Sequence, residues 1–196
     1  MTLTALVLVC TLKPSPASSS TELLASQVLE SLAKHGVTGS SVRVVDHDVK
    51  PGVEADMGDG DAWPGIREQI LAADILILAT PTWMGHSASV AHRVLERLDA
   101  EISEGTLTDK VAVAAIVGNE DGAHAISAEV FQALNDVGFT IPAQGVTYWN
   151  GEAMGRIDYQ DLPETPEKVA QTIETVGANA AHLAGLLSAK GYPQES

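Results

Sequence analysis

Cysteine is nearly absent from this sequence, since Cys10 is the single one among 196 residues. One thiol cannot form a disulfide within the chain, and there is no second cysteine for a thiolate metal site. Cys10 ends the first apolar run, so we expect it to be a small buried hydrophobic side chain. No histidines and carboxylates have the spacing of a metal site, and we predict no metal.

Basic residues are also few. Lysine and arginine number 11 and aspartate and glutamate 26, which gives a formal net charge of −15. This acidity excludes broad contact with a nucleic-acid backbone or an anionic membrane. The first apolar run, residues 3–10, is too short to span a bilayer, and no basic flank of a signal peptide precedes it. We therefore expect a cytoplasmic protein with neither nucleic acid nor membrane as a partner.

Short apolar runs alternate with helical patterns along the chain. Branched aliphatic runs without polar alternation are typical of parallel strands covered on both faces. Strands that alternate with helices predict an α/β fold, for which right-handed crossovers leave few arrangements. The predicted strands are 3–10, 41–46, 74–80 and 110–117, followed by a last strand of 139–141 and 146–149 that Pro142 interrupts.

Helix boundaries carry their own signals. Ser19 and Glu22 have the spacing of a capping box and predict that a helix begins there. Thr165 and Pro166 are typical of an N-cap and a first-turn proline, and predict the start of the last helix. Other helices are predicted over 66–71, 89–100 and 123–137, and 47–64 is predicted to be a long surface loop.

Three predicted loops follow strands at the edge where open α/β sheets bind ligands. The first is rich in hydroxyls and leads into a helix N-terminus, where free N–H groups favour a bound phosphate. The second brings an indole and a thioether, and the third has glycines that allow close approach of a ligand. The candidate ligand-binding residues are Thr11, Lys13, Ser18, Ser19, Ser20, Thr21, Pro81, Thr82, Trp83, Met84, Gly85, Gly118, Asn119, Glu120, Asp121, Gly122 and His124.

Two common nucleotide fingerprints are missing. No G-x-G-x-x-G follows the first strand, and G-x-x-x-x-G-K-[ST] does not occur. Neither a Rossmann dinucleotide site nor a P-loop NTPase is therefore supported. A phosphate-binding loop, an aromatic loop and a glycine loop on one edge instead suit a phosphorylated planar ligand, such as FMN at a topological switch point.

The three loops carry a resemblance to a known family. Residues 11–21 stand in the position of a phosphate loop, and Pro81-Thr82-Trp83-Met84-Gly85 resembles a P-x-[YW]-x-[GS] flavin loop. Residues 118–122 stand where that family has a third, glycine-containing loop. The chain thus resembles the flavodoxin-like flavoproteins, specifically the NAD(P)H-dependent FMN reductases. The resemblance implies a three-layer sandwich, a doubly wound five-stranded parallel sheet in the order 2-1-3-4-5, and a single FMN-binding domain over 1–196.

The same resemblance implies an oxidoreductase that moves a hydride from NAD(P)H to bound FMN and then reduces a small-molecule electron acceptor. The flavin carries this chemistry, so no catalytic side chain is assigned. The first loop lacks the arginine of many such reductases, and Lys13 is its substitute as a point charge. Glu120 and Asp121 are expected to face solvent. The resemblance also allows a homo-oligomer, a dimer or tetramer, in which Trp149 and residues 47–63 contribute to a neighbouring chain's site.

Two other functions stay open from the sequence. An FMN-carrying electron-transfer flavodoxin would use its acidic surface to dock basic redox partners. A serine hydrolase would use Ser87, because Gly85-His86-Ser87-Ala88-Ser89 nearly matches the G-x-S-x-G nucleophile elbow. Ser89 replaces the second glycine of that motif, which makes the hydrolase the weaker alternative.

Overall fold

The computed structural model describes residues 2–193. The strands are β1 (Thr4–Val9), β2 (Thr38–Arg43), β3 (Ile75–Trp83), β4 (His86–Ser87), β5 (Val111–Gly118) and β6 (Val146–Asn150). The helices are α1 (Ser20–Lys34), α2 (Trp63–Ala72), α3 (Ser89–Arg97), α4 (Ala100–Glu104), α5 (Ala123–Asp136) and α6 (Glu167–Ala189), with short 3-10 helices at Val44–Asp46 and Tyr159–Asp161. Helices and strands alternate over most of the chain, as predicted.

Five strands form a parallel sheet in the order β2-β1-β3-β5-β6. The sixth, β4, pairs in antiparallel fashion with the end of β3, where Thr82 lies opposite Ser87 and Trp83 opposite His86. Counted by the parallel strands alone, the order is the predicted 2-1-3-4-5, and the flavodoxin-like α/β fold is confirmed. The carboxyl ends of β1, β3 and β5 therefore lie side by side at one edge.

Strand β3 is buried on both faces. Leu76 and Leu78 pack into the hydrophobic layer that includes α2, α3 and α5. Ile75 and Ile77 point the other way, into the layer formed with α1 and α6. Each of these side chains is at most 1% exposed, and burying such a residue stabilises a fold by about 1.5–3 kcal/mol. The two-sided burial explains why the sequence of this strand shows no polar alternation.

The single thiol lies at the end of β1, an interior strand of the sheet. Cys10 is buried, with no exposed surface, and is not disulfide-bonded. Its backbone N–H donates to the carbonyl of Ala79 over 2.8 Å. Burial raises the pKa of the Cys10 thiol far above its usual value. The predicted role as a small buried hydrophobic side chain is confirmed.

Two predicted strands have different bounds in the structure. Strand β2 begins three residues early because its exposed first half, at the edge of the sheet, is too polar to show as an apolar run. It ends at Arg43, and the chain then turns so that Asp46 accepts hydrogen bonds from Ser15. Residues 139–141 do not join the last strand, since only Thr140 forms an isolated bridge, to Val111.

The two predicted N-caps behave differently. The Ser19 hydroxyl accepts the N–H of Glu22 at 3.3 Å, which confirms the cap of α1. The Glu22 carboxylate pairs with Arg43 instead of returning to the cap. The predicted Thr165 cap is wrong: the N-cap of α6 is Pro166, with no side-chain cap. The Thr165 hydroxyl accepts a hydrogen bond from Gln27 instead.

The predicted loop over 47–64 is two residues shorter in the structure, because α2 begins at Trp63. A buried ion pair organises residues 47–62. Arg97 Nη2 lies 2.7 Å from Asp61 Oδ2, and neither side chain is exposed. Arg97 also donates to the carbonyls of Lys50 and Glu54. Its guanidinium carbon lies 5.5 Å from the ring centre of Trp63, which is itself fully buried. Trp63, the last residue of the segment 47–63 that is expected to contribute to a neighbouring chain's site, is thus enclosed by its own chain.

Asp61 is held ionised inside this loop. Burial alone opposes its charge, but Arg97 and the backbone N–H groups of Met57, Lys50 and Trp63 all stabilise the carboxylate. The pKa of Asp61 therefore lies well below its usual range.

None of the helices in residues 2–193 combines the length and the apolar character that crossing a membrane requires.

Replacing Asp61 leaves Arg97 buried without a counter-charge. We expect Asp61→Asn to lower the free energy of unfolding by roughly 3 kcal/mol. Because the folded-state pKa of Asp61 is depressed, its contribution is complete above the unfolded-state value of about 3.9 and is lost as pH falls further. Urea unfolding of wild type and variant between pH 3 and 7 measures both effects.

The matched control is Asp48→Asn, which removes an exposed carboxylate that pairs with Lys50 in the same loop. This control should change stability by less than about 1 kcal/mol. Equal losses from both variants would contradict the role given to the buried pair.

Candidate functional site

A cavity of about 250 Å³ opens at the carboxyl ends of the parallel strands. The loops that follow β1, β3 and β5 all contribute to it, so the structure brings the three predicted loops together. The predicted residues that line it are Thr11, Lys13, Ser19, Ser20, Thr21, Pro81, Thr82, Trp83, Gly118, Asn119 and Glu120.

Six other predicted residues lie outside the lining: Ser18, Met84, Gly85, Asp121, Gly122 and His124. Ser18 is exposed on the surface of the first loop. Met84 stands at the tip of a turn and is 85% exposed. His124 Nε2 lies 3.0 Å from the hydroxyl of Tyr148 on the outer side of β6. Each of these six residues is close in sequence to residues that do line the cavity.

Five residues line the cavity that the sequence analysis did not predict as ligand-binding residues: Leu12, Val117, Trp149, Asp158 and Tyr159. Trp149, expected to reach a neighbouring chain, lines the cavity of its own chain because β6 is the next parallel strand. Asp158 and Tyr159 follow β6. The signal that could have found them is topological, since every parallel strand delivers its following loop to the same edge.

The N-terminus of α1 points its free N–H groups at the cavity. A helix leaves its first N–H groups without intrahelical partners. The Ser19 side chain takes the N–H of Glu22, and Ser20 and Thr21 line the cavity at the first helical positions. The helix dipole and these donors favour an anion at this end of the cavity.

An arginine holds the first loop from outside the cavity. Arg43, at the end of β2, donates from Nη1 to the carbonyls of Ala17 at 2.8 Å and Lys13 at 3.3 Å. Its Nη2 pairs with Glu22 in the first turn of α1. Arg43 is only 9% exposed. The loop sequence has no arginine, but Arg43 stands behind the loop and fixes its backbone.

Asp46 adds a second support to this loop. It accepts hydrogen bonds from the backbone N–H of Ser15 at 2.8 Å and from the Ser15 hydroxyl at 2.6 Å. These hydrogen bonds lower the pKa of Asp46. The peptide bond between Ser15 and Pro16 is cis. Both ends of the loop are thus tied to β2 and the short helix that follows it.

The second and third loops are joined by a carboxylate. Met84 and Gly85 have φ values of 51° and 76°, as in the type I′ turns of two-residue hairpins. Glu120 Oε1 accepts the N–H of Met84 at 2.8 Å, and Oε2 that of Gly85 at 3.2 Å. The expectation that Glu120 faces solvent is wrong, because these donors hold it against the hairpin. Asp121 is exposed, as expected.

Glycine is required where these loops touch. Gly122 has φ 143°, and a Cβ there would lie 2.8 Å from the carbonyl oxygen of Gly85. A Cβ on Gly118 would lie 2.7 Å from that of Thr82. Both contacts draw the glycine loop onto β3 and its hairpin, which closes one side of the cavity.

Aromatic side chains form two walls. Trp83 ends β3 and is 52% exposed at the mouth. Trp149 packs on Tyr159, with ring centres 5.5 Å apart and planes tilted by 48°. Tyr159 is almost fully buried, and burial raises the pKa of its hydroxyl. The indole and phenol faces offer stacking surfaces for a planar ligand.

The residues present fit FMN. Hydrogen-bond donors at the N-terminus of α1 suit its phosphate, and the aromatic walls suit its ring system. Two buried polar atoms of the lining, Thr82 Oγ1 and Asn119 Oδ1, lack a partner among the described residues. Both residues line the cavity, although these two oxygens are packed against the backbone of Gly118 and Gly151.

Ser87 does not have the surroundings of a nucleophile. It lies in β4, is 5% exposed, and its hydroxyl has no hydrogen-bond partner in residues 2–193. A catalytic serine needs an adjacent base to activate it. The geometry therefore gives no support to a hydrolase.

Comparison with known proteins gives a family match over most of the chain. The sequence profile of the NADPH-dependent FMN reductases matches residues 4–153. The 8-demethyl-8-aminoriboflavin-5'-phosphate synthase of Streptomyces davaonensis is 33% identical over 208 aligned positions, which cover 98% of this chain and 81% of that protein. A divalent metal cation transporter, MntH of Mycobacterium bovis, is 37% identical over 81% of this chain, which spans 25% of the transporter's length.

Solved structures agree with this match. RosB with bound 8-demethyl-8-formylriboflavin-5'-phosphate superposes with a TM-score of 0.86 and 32% identity, covering 97% of this chain and 82% of that one. A WrbA-like flavodoxin from Agrobacterium tumefaciens has a TM-score of 0.62 at 14% identity over 95% of this chain and 99% of its own, a likeness of fold alone. The chain belongs to the NADPH-dependent FMN reductase family and is a flavodoxin-like, FMN-binding enzyme of the oxidoreductase type.

Proposed function

We propose that this protein holds FMN in the cavity and uses NAD(P)H to reduce a small-molecule electron acceptor. The observation that carries the proposal is the meeting, in one cavity, of a helix N-terminus and two tryptophan walls at the switch between β1 and β3. Open α/β sheets bind nucleotide ligands at such a switch point. Bound FMN would supply the hydride transfer, accepting from a nicotinamide and donating to the acceptor.

The first loop and α1 would bind the phosphate. Thr11, Ser19 and Thr21 are buried and line the cavity, and Ser19 and Thr21 lie at the start of α1. Hydroxyls and N–H groups donate hydrogen bonds without adding charge, while Lys13 contributes a positive charge at the rim. Arg43 would act as a positioning residue, because it holds the backbone of this loop without lining the cavity.

The second and third loops would hold the ring system. Trp83 offers its face at the mouth, and Thr82 and Asn119 line the cavity beside it. Glu120 keeps the hairpin against the third loop through two N–H groups. Since those N–H groups occupy both carboxylate oxygens, the negative charge of Glu120 is partly neutralised beside the site. The exposed half of Trp83 leaves the mouth open to a second substrate.

A second candidate is chemistry on the flavin ring itself. It is favoured by one observation: the relative from Streptomyces davaonensis, similar over 98% of this chain, is a synthase of an 8-amino flavin phosphate. Flavin recovered from a completed reaction separates the two candidates. A reductase returns FMN of unchanged mass, whereas ring chemistry returns a flavin of altered mass.

Phosphate binding can be tested with Arg43→Lys. Lysine keeps the charge but loses the fork that holds two carbonyls, so the first loop should loosen. We expect FMN affinity to fall about tenfold, the equivalent of one lost hydrogen bond to a charged group. The affinity for riboflavin, which has no phosphate, should be unchanged. Quenching of flavin fluorescence on titration with protein measures both constants.

The matched control for this test is Arg93→Lys, because Arg93 likewise donates to a carbonyl, that of Val49, away from the cavity. It should bind both flavins as wild type does. An equal loss for FMN and riboflavin in Arg43→Lys would show a general disturbance of the cavity and contradict phosphate positioning.

Reduction by a nicotinamide can be tested without any partner protein. The FMN-loaded protein, kept free of oxygen and mixed with NADPH or NADH, should lose its visible flavin absorbance much faster than free FMN at the same concentration. Added quinone or free flavin should then sustain nucleotide oxidation. Bound FMN that stays oxidised with both nucleotides would favour the electron-carrying flavodoxin instead.

A further inference from the structure

One loop at the carboxyl edge of the sheet begins and ends at the cavity. We call residues 151–158, which follow β6, the border loop. The backbone N–H of Gly151 donates to the carbonyl of Gly118 over 2.8 Å, and the side chain of Asn119 donates to Asp158 Oδ1 over 2.9 Å. Gly118 and Asn119 are consecutive residues of the cavity lining. The border loop is therefore closed at its base on the cavity wall, and residues 152–157 extend from that wall.

The border loop exposes apolar side chains next to a cation. Met154 is 95% exposed and Ile157 is 60% exposed. Arg156, which lies between them in sequence, is exposed as well, and its side chain has no ion-pair or hydrogen-bond partner in residues 2–193. Large apolar side chains exposed beside a cavity are typical of a binding surface. A free guanidinium offers a planar fork of donors to phosphate oxygens, so the loop suits a ligand with both rings and a phosphate group.

Few other cations are free at this edge of the sheet. All 11 lysines and arginines of the chain lie in residues 2–193. Lys190 follows the end of α6 at the opposite edge, where Tyr192 bonds to Asp109 before β5. Lys13 and Arg156 are free at the carboxyl edge, and Lys13 is assigned to the FMN phosphate. The other cations already contact carboxylates, carbonyls or an amide of this chain: Lys34, Arg43, Lys50, Arg67, Arg93, Arg97, Lys110 and Lys168.

Carboxylates outnumber the free cations around the cavity. Glu120 and Asp158 line it, and Asp121 and Glu152 are exposed in the loops that contain them. The phosphate of bound FMN would add further negative charge. A second anionic substrate is therefore repelled by most of these groups, because like charges in a partly desolvated site disfavour binding. Arg156 is the group left to attract it.

The number of anionic groups distinguishes two reductants. NADH carries its negative charge on one pyrophosphate, whereas NADPH has an additional 2′-phosphate, which adds about 1.5–2 negative charges. One arginine pairs with one such group. The 2′-phosphate would then have no counter-charge among the described residues around the cavity. The family profile is described for NADPH, but it ends at residue 153, before Arg156.

Resting on the proposed reductase function, we propose that Arg156 binds the pyrophosphate of the nicotinamide nucleotide and that this protein takes NADH in preference to NADPH. Met154 and Ile157 offer apolar surface to the rings of the same nucleotide. Arg156 is a binding residue and takes no part in the hydride step, which the flavin carries.

The experiment is stopped-flow reduction of the FMN-loaded protein in the absence of oxygen. Rates measured over a range of nucleotide concentrations give a dissociation constant and a limiting rate for each nucleotide. Wild type should bind NADH at least about tenfold more tightly than NADPH. Arg156→Gln should raise the NADH dissociation constant about tenfold, as expected for one lost hydrogen bond to a charged group, and leave the limiting rate unchanged. The NADH constant of this variant should also depend less on salt concentration.

An uncharged reductant and a matched variant serve as controls. N-benzyl dihydronicotinamide has the reactive ring of NADH but no phosphate, so it should reduce wild type and Arg156→Gln at the same rate. Lys168→Gln removes an exposed cation of α6 that lies outside the cavity lining. This control variant should bind NADH as wild type does.

Four results would overturn the inference: NADPH bound as tightly as NADH, an unchanged NADH constant in Arg156→Gln, an equal loss with the uncharged reductant, or the same loss in Lys168→Gln. A flavin that dithionite bleaches but neither nucleotide reduces is a distinct result. It would overturn the proposed reductase function itself, and this inference with it.

Discussion

The structure depends on the two-sided burial of its parallel strands. A strand such as β3, with helices packed on both faces, can be continued only by a crossover that returns the chain to the same end of the sheet. Every strand then releases its following loop at one edge, and β1, β3 and β5 are neighbours. The cavity is a direct result of this constraint. The cavity brings together residues as distant in sequence as Thr11 and Tyr159, because the sheet topology places their loops at the same edge.

Polar residues with little exposed surface give the loops their shape. Arg43 acts on the first loop and Arg97 on residues 47–62, and each donates to backbone carbonyls while it pairs with a carboxylate. Glu120, by contrast, accepts hydrogen bonds from backbone N–H groups of the hairpin. A guanidinium offers several donors in a rigid plane, so one arginine can hold several peptide groups of an irregular segment. The first loop and residues 47–62 are therefore shaped by arginines that do not line the cavity.

The sequence predicted the fold and most of the residues that line the cavity, because local patterns determine them, but it missed features that long-range contacts determine. Continuous apolar runs mark buried strands directly, and three of the four loops that form the cavity follow such runs. Strand β2 was misplaced because it lies at the edge and is polar, so its position depends on its pairing with β1 rather than on an apolar run. The Thr165 cap failed since Gln27, 138 positions away, engages its hydroxyl. Tyr159 was missed because long-range packing on Trp149, rather than a local pattern, places it.

The buried thiol of Cys10 can report on the opening of the sheet's interior. Cys10 is the only cysteine in the chain, and it is enclosed at the end of β1, an interior strand, with its ionisation suppressed. The thiolate must attack the labelling reagent and the reagent needs access to it, so labelling must wait for an opening that separates β1 from its neighbours. The labelling rate under native conditions thus reads the frequency with which this molecule opens its core, without a probe having to be engineered.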